Sequence, residues 1–258
     1  MDYNAAFAGL KVIDLSGGVA GPSCAMMLAQ HGADVIKVET PHNGGDWSRI
    51  LGRTYEDHSA FSIYGTMGKR ALAVDLKTEE GKQILWRLIK GADVFIEGFK
   101  PGTIQRYGFG YDAVSAEEPG ILYYSISGFG QTGPLAARPA MDPVLQAFIG
   151  IVTENKGEHD NHPHRIAISL IDMFSGLLGF QAIATSLYVR REQKVKQGRF
   201  IELSLMARRR HAVGHPTDRQ LSGARDGTAH QHAERGVQYV RRADQYHHGA
   251  ARRLEAVL

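Results

Sequence analysis

One cysteine, two tryptophans and nine prolines in 258 residues restrict what this chain can be. Cys24 has no partner, so an internal disulfide is impossible and no cysteine-based zinc site can form. Both absences fit a reducing, cytoplasmic setting. Residues 1–10 carry neither a basic start nor an apolar core, so no secretory signal is expected. Gly, Ser or a charge interrupts every apolar stretch before about 18 residues, so no membrane span is expected. The sequence has no H-E-x-x-H, G-x-S-x-G or P-loop, and its His residues lack metal-ligand spacing in the well-patterned region, so no metal is expected. At 43% hydrophobic and 22% charged residues, it also lies outside collagen-like, coiled-coil and wholly disordered compositions.

A different shortage appears near residue 206. Residues 207–258 contain no Lys, Ile, Phe, Met or Trp, but hold 10 Arg and 6 of the 12 His. Their net charge is +5, against −2 for residues 1–206. So few large apolar side chains do little to offset ordering entropy, which predicts a poorly packed tail. Such a basic block could meet nucleic acid or an anionic surface, yet its Arg and His alternate with Asp, Glu and Gly, without an RNA-binding motif or helical basic stripe. Translation outside an ancestral frame, in GC-rich DNA, would leave the same composition.

Within residues 1–206, strand-length apolar runs alternate with helical patterns. The expected fold class is therefore α/β, a parallel sheet of βαβ units flanked by helices. KVIDLS (11–16), DVIKVE (34–39), DVFIE (93–97) and ILYYSIS (121–127) read as four strands, with FIELSL (200–205) closing the set. Pro22 stands where a helix could begin, running to His31 and stopping at Gly32. Thr78–Gly91 opens with acids in its first turn and places Ile84, Leu85, Leu88 and Ile89 on one face. Ile171–Arg191 reads as a long apolar helix. No internal repeat appears.

The turn after the first strand, LSGGVAGP, invites a dinucleotide-binding reading, with Glu39 near the position of a ribose-binding acid. The fingerprint fails: Ser16 stands where G-x-G-x-x-G needs its first Gly, and Pro22 intrudes. Asp172 offers more chemistry, as a carboxylate in the first turn of an otherwise apolar helix. It could be an N-terminal cap, stabilised by free backbone N–H groups and the helix dipole. The same surroundings keep it ionised, which suits a nucleophile.

Several runs occur together and in order: FAGLKVIDLSGGVAGPSCAMMLAQHGADVIKVETP, GKRALAVDLK, ADVFIEGFKPGTIQRYGFGYD and SISGFGQTGP. Together they resemble the class III coenzyme A transferases, a family that includes formyl-CoA transferase, carnitine-CoA transferase and the α-methylacyl-CoA racemases. The resemblance covers about residues 7–206. It implies a Rossmann-like large domain (1–206 here, its N-terminal part) and a small domain that is not recognisable in the divergent 207–258. It also implies an interlocked homodimer, acyl-CoA and carboxylic acid substrates, and no permanently bound cofactor.

Carried over by position, the resemblance makes Asp172 the catalytic aspartate. That carboxylate takes the acyl group as a mixed anhydride and then CoA as an aspartyl thioester. The resemblance also puts CoA near Val19 and Ala20, along Val74, Asp75, Leu76 and Lys77, and at Gly98, Phe99 and Lys100, with Arg106 beyond. Lys77, Lys100, Arg106 or Arg138 could pair with its phosphates; any one of them, Arg138 above all, could instead be an ordinary surface charge. Thr40 stands where transferase relatives carry an Arg, removing one phosphate contact. Met141 stands where racemase relatives carry a His, and a thioether cannot relay a proton. The expected activity is thus CoA transfer, with an inactive truncated or frameshifted remnant as the alternative and racemisation third.

Overall fold

A computed structural model of the chain describes residues 5–155 and 162–206. The poorly packed tail expected at 207–258 lies outside the described residues. Among the described residues two compact units are distinguished, one of residues 5–139 with 171–206 and the other of residues 140–155 with 162–170.

The first unit is built on a six-stranded sheet. In chain order its elements begin with β1 (Lys11–Asp14), α1 (Ala20–Gln30) and β2 (Asp34–Glu39). A 3-10 turn (Trp47–Ile50), a short hairpin of β3 (Thr54–Tyr55) and β4 (His58–Ser59), and α2 (Ala60–Thr66) follow. Next come β5 (Arg70–Ala73), α3 (Glu79–Ile89), β6 (Val94–Glu97), α4 (Thr103–Arg106), α5 (Tyr111–Glu117) and β7 (Leu122–Ser127). In the second unit, α6 (Asp142–Phe148) and α7 (Ile151–Glu154) are the described helices; the first unit resumes with α8 (Leu170–Arg191) and β8 (Arg199–Ser204).

The strand order is β5-β2-β1-β6-β7-β8, and every ladder in this sheet is parallel. Its central strands are buried on both faces, which is why they read as unbroken apolar runs. One face packs Val12, Val94, Leu122 and Tyr124 against Leu28 of α1 and Ile183 and Leu187 of α8. The other packs Ile13, Phe95 and Tyr123 against Leu85 and Ile89 of α3 and Val114 of α5. The expected parallel, helix-flanked fold is present.

Local signals set the helix ends, with small differences from expectation. Thr78 accepts a hydrogen bond from the Gly81 amide (3.0 Å) and starts α3. Helix α1 begins two residues before Pro22, at Ala20. A proline is tolerated there because first-turn N–H groups have no partner inside the helix. The sequence expectation missed β5. RALA has no apolar run to mark it, and all four residues are exposed on the sheet edge.

Helix α8 is long and apolar enough, by length and composition, to cross a membrane, with a mean hydropathy of 1.4. Its inward stripe instead lies on the sheet. Gly176 rests against α1, where an added Cβ would stand 2.8 Å from both the Ala20 carbonyl oxygen and Ser23 Cβ. Gly179 lies directly on the Tyr124 hydroxyl. The outward stripe, including Phe174, Leu177 and Tyr188, is exposed, so only one side of this apolar helix is packed.

The described part of the second unit is organised by Gln146. Its side chain accepts from the Ile166 amide (2.8 Å) and donates to the carbonyls of Ile166 and Ile168 (3.2 and 3.3 Å), tying the segment before α8 to α6. Leu145 and Val152 supply its buried apolar contacts.

Candidate active site

In a doubly wound sheet, ligands bind beyond the carboxyl ends of the strands, where the strand order reverses. Here that point lies between β1 and β6. The turn after β1 contributes buried Val19 and Ala20, and the segment after β6 contributes Gly98, Phe99 and Lys100. The segment after β5 contributes buried Val74, half-buried Asp75 and Leu76, and exposed Lys77. Three residue groups widely separated in sequence thus share one edge of the sheet. From β5 to β6 is three strand spacings, roughly 14 Å, a span suited to an extended ligand.

Helix α1 opens at this edge with no acidic residue in its first turn and no side-chain cap. Nothing of negative charge on the helix itself competes with an anion there. Exposed Lys100 lies nearby in sequence to Arg106, which donates to Thr103 Oγ1 (2.9 Å) on α4. Arg138 is exposed beyond β7, and its sequence position alone connects it with the others.

Asp172 is the third residue of α8 and half-buried. The capping position falls at Ser169, just before the helix, so Asp172 is not the N-cap residue. It lies one turn before Gly176 on the same helix face. Because Gly176 rests on Ala20, Ser23 and Cys24, that face is the one turned toward the start of α1. The candidate nucleophile and the turn at Val19–Ala20 are therefore brought to one region, although 152 residues separate Ala20 from Asp172.

Sequence reasoning missed a set of buried charges beneath the turn. Asp14 Oδ2 pairs with Lys69 Nζ at 2.7 Å, and Lys37 Nζ pairs with Asp46 Oδ2 at 3.0 Å. All four side chains are nearly or wholly buried. Burial opposes ionisation of Asp14, but Lys69 and Lys37 prevail and hold its carboxyl below the ordinary range. Burial likewise opposes the charge on Asp46, which Lys37 and the Ser48 and Gly18 amides keep low. The available signal was a Lys inside the apolar strand DVIKVE: a buried ammonium requires carboxylate partners.

Glu97, at the end of β6, is also buried. It accepts from the Phe99 amide (2.9 Å) and from the Ser125 hydroxyl. Burial raises its pKa to about 6, against the lowering effect of those two hydrogen bonds. His42 Nε2 meets Asp75 Oδ2 at 2.8 Å and links the ends of β2 and β5 at the surface.

The fold defines a class: a doubly wound α/β protein whose strand-end turns and the start of a crossing helix gather near the switch point of the sheet. Within that class, the chain belongs to CoA-transferase family III, whose family model matches residues 7–248. The match runs past residue 206, where the resemblance read from motifs stops. A succinate–glutarate CoA-transferase of Agrobacterium fabrum is 37% identical over 206 residues, covering 77% of this chain and 50% of that protein. An acyl-CoA transferase of Fusarium pseudograminearum is 39% identical over 193 residues, covering 72% and 42% respectively. A CAIB/BAIF family protein from Brucella suis superposes with a TM-score of 0.69 at 37% identity, covering 79% of this chain and 54% of that one. The chain spans about half the length of the curated relatives it matches.

Proposed function

We propose that this chain carries the CoA-binding edge and the nucleophile of a CoA transferase, with Asp172 as the attacking carboxylate. One observation carries the reading: α8 rests Gly176 on the first turn of α1, so Asp172 faces the region where the turns after β1 and β6 meet. CoA would lie along residues 74–77 and 98–100, with Lys77, Lys100 and Arg106 available to its phosphates.

The chemistry follows from the carboxylate. An Asp172 oxygen attacks the acyl-CoA carbonyl carbon, the C–S bond breaks, and CoA leaves as thiolate from a mixed anhydride. The thiolate then attacks the aspartyl carbonyl and releases the first carboxylic acid as its carboxylate. The resulting aspartyl-CoA thioester passes CoA to a second carboxylate by the same steps reversed. Each adduct remains an activated acyl group, which an alcohol nucleophile would not preserve. Met141, exposed in the second unit, offers no proton relay, so racemisation is disfavoured.

A second reading rests on the share of relatives' length that the chain spans: it binds CoA without turning over. Mass spectrometry after incubation with acyl-CoA and hydroxylamine separates the two. The transferase reading expects a hydroxamate at Asp172, absent in Asp172→Ala, with transfer activity down by several orders of magnitude. CoA binding with no adduct supports the second reading. A hydroxamate at another carboxylate, or full activity in Asp172→Ala, would reject Asp172.

A further inference from the structure

The buried charges beneath the strand-end turn converge on its backbone rather than on one another alone. Asp46 Oδ1 accepts from the Gly18 amide (2.9 Å) and from the Ser48 amide (3.0 Å), while its Oδ2 pairs with Lys37. Lys37 Nζ donates to the Ser16 carbonyl. A single ion pair therefore grips the turn on both sides of Gly17, at a carbonyl before it and an amide after it. Asp14 Oδ1 accepts from both the Ser16 amide (3.0 Å) and the Ser16 hydroxyl (2.5 Å). Lys69 Nζ donates to the Pro22 carbonyl (2.9 Å), inside the first turn of α1. Every one of these bonds ends on the segment from Ser16 to Pro22, or on a group that holds it.

Stability alone is a poor explanation for this arrangement. Desolvating four ionised groups costs several kcal/mol each, and well-packed apolar residues often replace buried ion pairs without loss of stability. What an apolar pair cannot supply is a fixed direction for a particular carbonyl and a particular amide. The turn has unusual need of direction. Gly18 adopts φ +76°, in the left-handed region, and its α-carbon lies against the Trp47 ring with no room for a side chain. A glycine turn left to itself samples many backbone states, and a ligand must then select one of them.

We propose that the Lys37–Asp46 pair is a positioning element for ligand binding, holding the Ser16–Gly18 turn in the one backbone orientation that receives the CoA moiety. The proposal rests on the CoA-binding reading above. Neither side chain needs to touch the ligand, since both act through the Ser16 carbonyl and the Gly18 amide. Asp14 and Lys69 extend the same hold to the start of α1.

The test compares two variants of the full chain by titration calorimetry with free CoA, alongside urea unfolding and amide hydrogen exchange. The double variant Lys37→Met, Asp46→Leu removes both charges and both hydrogen-bonding groups, replacing them with apolar volume. Asp46→Asn keeps an oxygen for the Gly18 amide and loses the charge. The expected result is a folded double variant with CoA affinity about 10- to 100-fold weaker, the scale of an ångström-sized misplacement. Asp46→Asn should recover most of that loss, and amide exchange at residues 17–20 should be faster in the double variant alone. Wild-type affinity in the folded double variant would overturn the proposal. If the double variant does not fold, Asp46→Ala, which loses the oxygen as well as the charge, is compared with Asp46→Asn: faster exchange at residues 17–20 and affinity at least about 10-fold weaker than in Asp46→Asn support the hold on Gly18, whereas equal affinity in the two variants overturns it. A wild-type chain that binds no CoA would instead overturn the reading of the site, a result distinct from either variant outcome.

Discussion

Glu97 shows how one buried carboxylate can leave a signature in the pH dependence of the whole chain. Its pKa stands near 6 in the folded protein against an ordinary 4.5. Between those values the folded state holds more protons than the unfolded state, so stability falls as pH rises through the window and levels off above it. The shift corresponds to about 2 kcal/mol. Tyr123, across on β7, feels the same carboxylate, which adds to the effect of burial in raising the phenol's pKa. Glu97→Gln removes the titration, while its side-chain amide can still meet the Phe99 amide or Ser125. Urea unfolding should show the variant more stable than wild type by about 1 kcal/mol at pH 8 and nearly equal at pH 4.5. A wild-type stability that is flat from pH 4.5 to 7, after allowance for the same trend in the variant, would show that Glu97 is not the responsible group.

Among the elements, α8 illustrates how small residues determine where a helix can lie. Gly176 and Gly179 are spaced three apart on its inward face, one against α1 and the other against Tyr124 of β7. Tyr124 is buried, and its hydroxyl has no hydrogen-bond partner among the described residues. Gly179→Ala should cost about 1–3 kcal/mol, because the new methyl meets that hydroxyl in a packed core. Tyr124→Phe should be neutral or stabilise by about 1 kcal/mol, since it deletes a buried polar atom that gains nothing in return. In the double variant the nearest clash, with the hydroxyl, is gone while ring carbons still stand 2.6 and 3.0 Å from the added Cβ, so the relief is partial and the two effects should couple rather than add. Strict additivity in a urea double-mutant cycle would argue that α8 does not press on Tyr124. The same contact bears on the proposed role of Asp172, because tilting α8 would move that residue away from the turn after β1.

At the scale of the whole molecule, the proposed CoA-binding edge is assembled from turns that no single strand contains. Free CoA at about 100 times its dissociation constant should stabilise the chain by ~2.7 kcal/mol. At about 2–4 °C per kcal/mol for a chain of this size, that corresponds to a rise in Tm of roughly 5–11 °C. Thermal unfolding with and without CoA measures it, with adenosine as the control for the adenine end alone. No shift at saturating CoA would place the binding determinants in the half of the relatives' length that this chain does not span. Asp14 and Asp46 add a second pH dependence at the acid end. Both carboxyls are held below 3.8, so the stability they contribute is present above that value and lost as pH falls through their folded pKa values.

The alternation of strand and helix, the parallel sheet, the start of α3 and the long helix after Asp172 are all legible in the amino-acid sequence, because hydrophobic periodicity and capping are local properties. So was Asp172 itself, since a carboxylate in an apolar helix stands out wherever the helix lies. The strand β5 was not legible: RALA owes its extended form to pairing with β2, and edge pairing needs no apolar pattern. Nor was the one-sided exposure of α8, because composition records how apolar a helix is and not which face meets the sheet. The buried charges were individually visible as Asp14, Lys37, Asp46 and Lys69, but their partnership was not. An ion pair forms between residues 55 apart, such as Asp14 and Lys69, only once β1 and the residue just before β5 are carried near each other on either side of β2, and that proximity belongs to the tertiary structure.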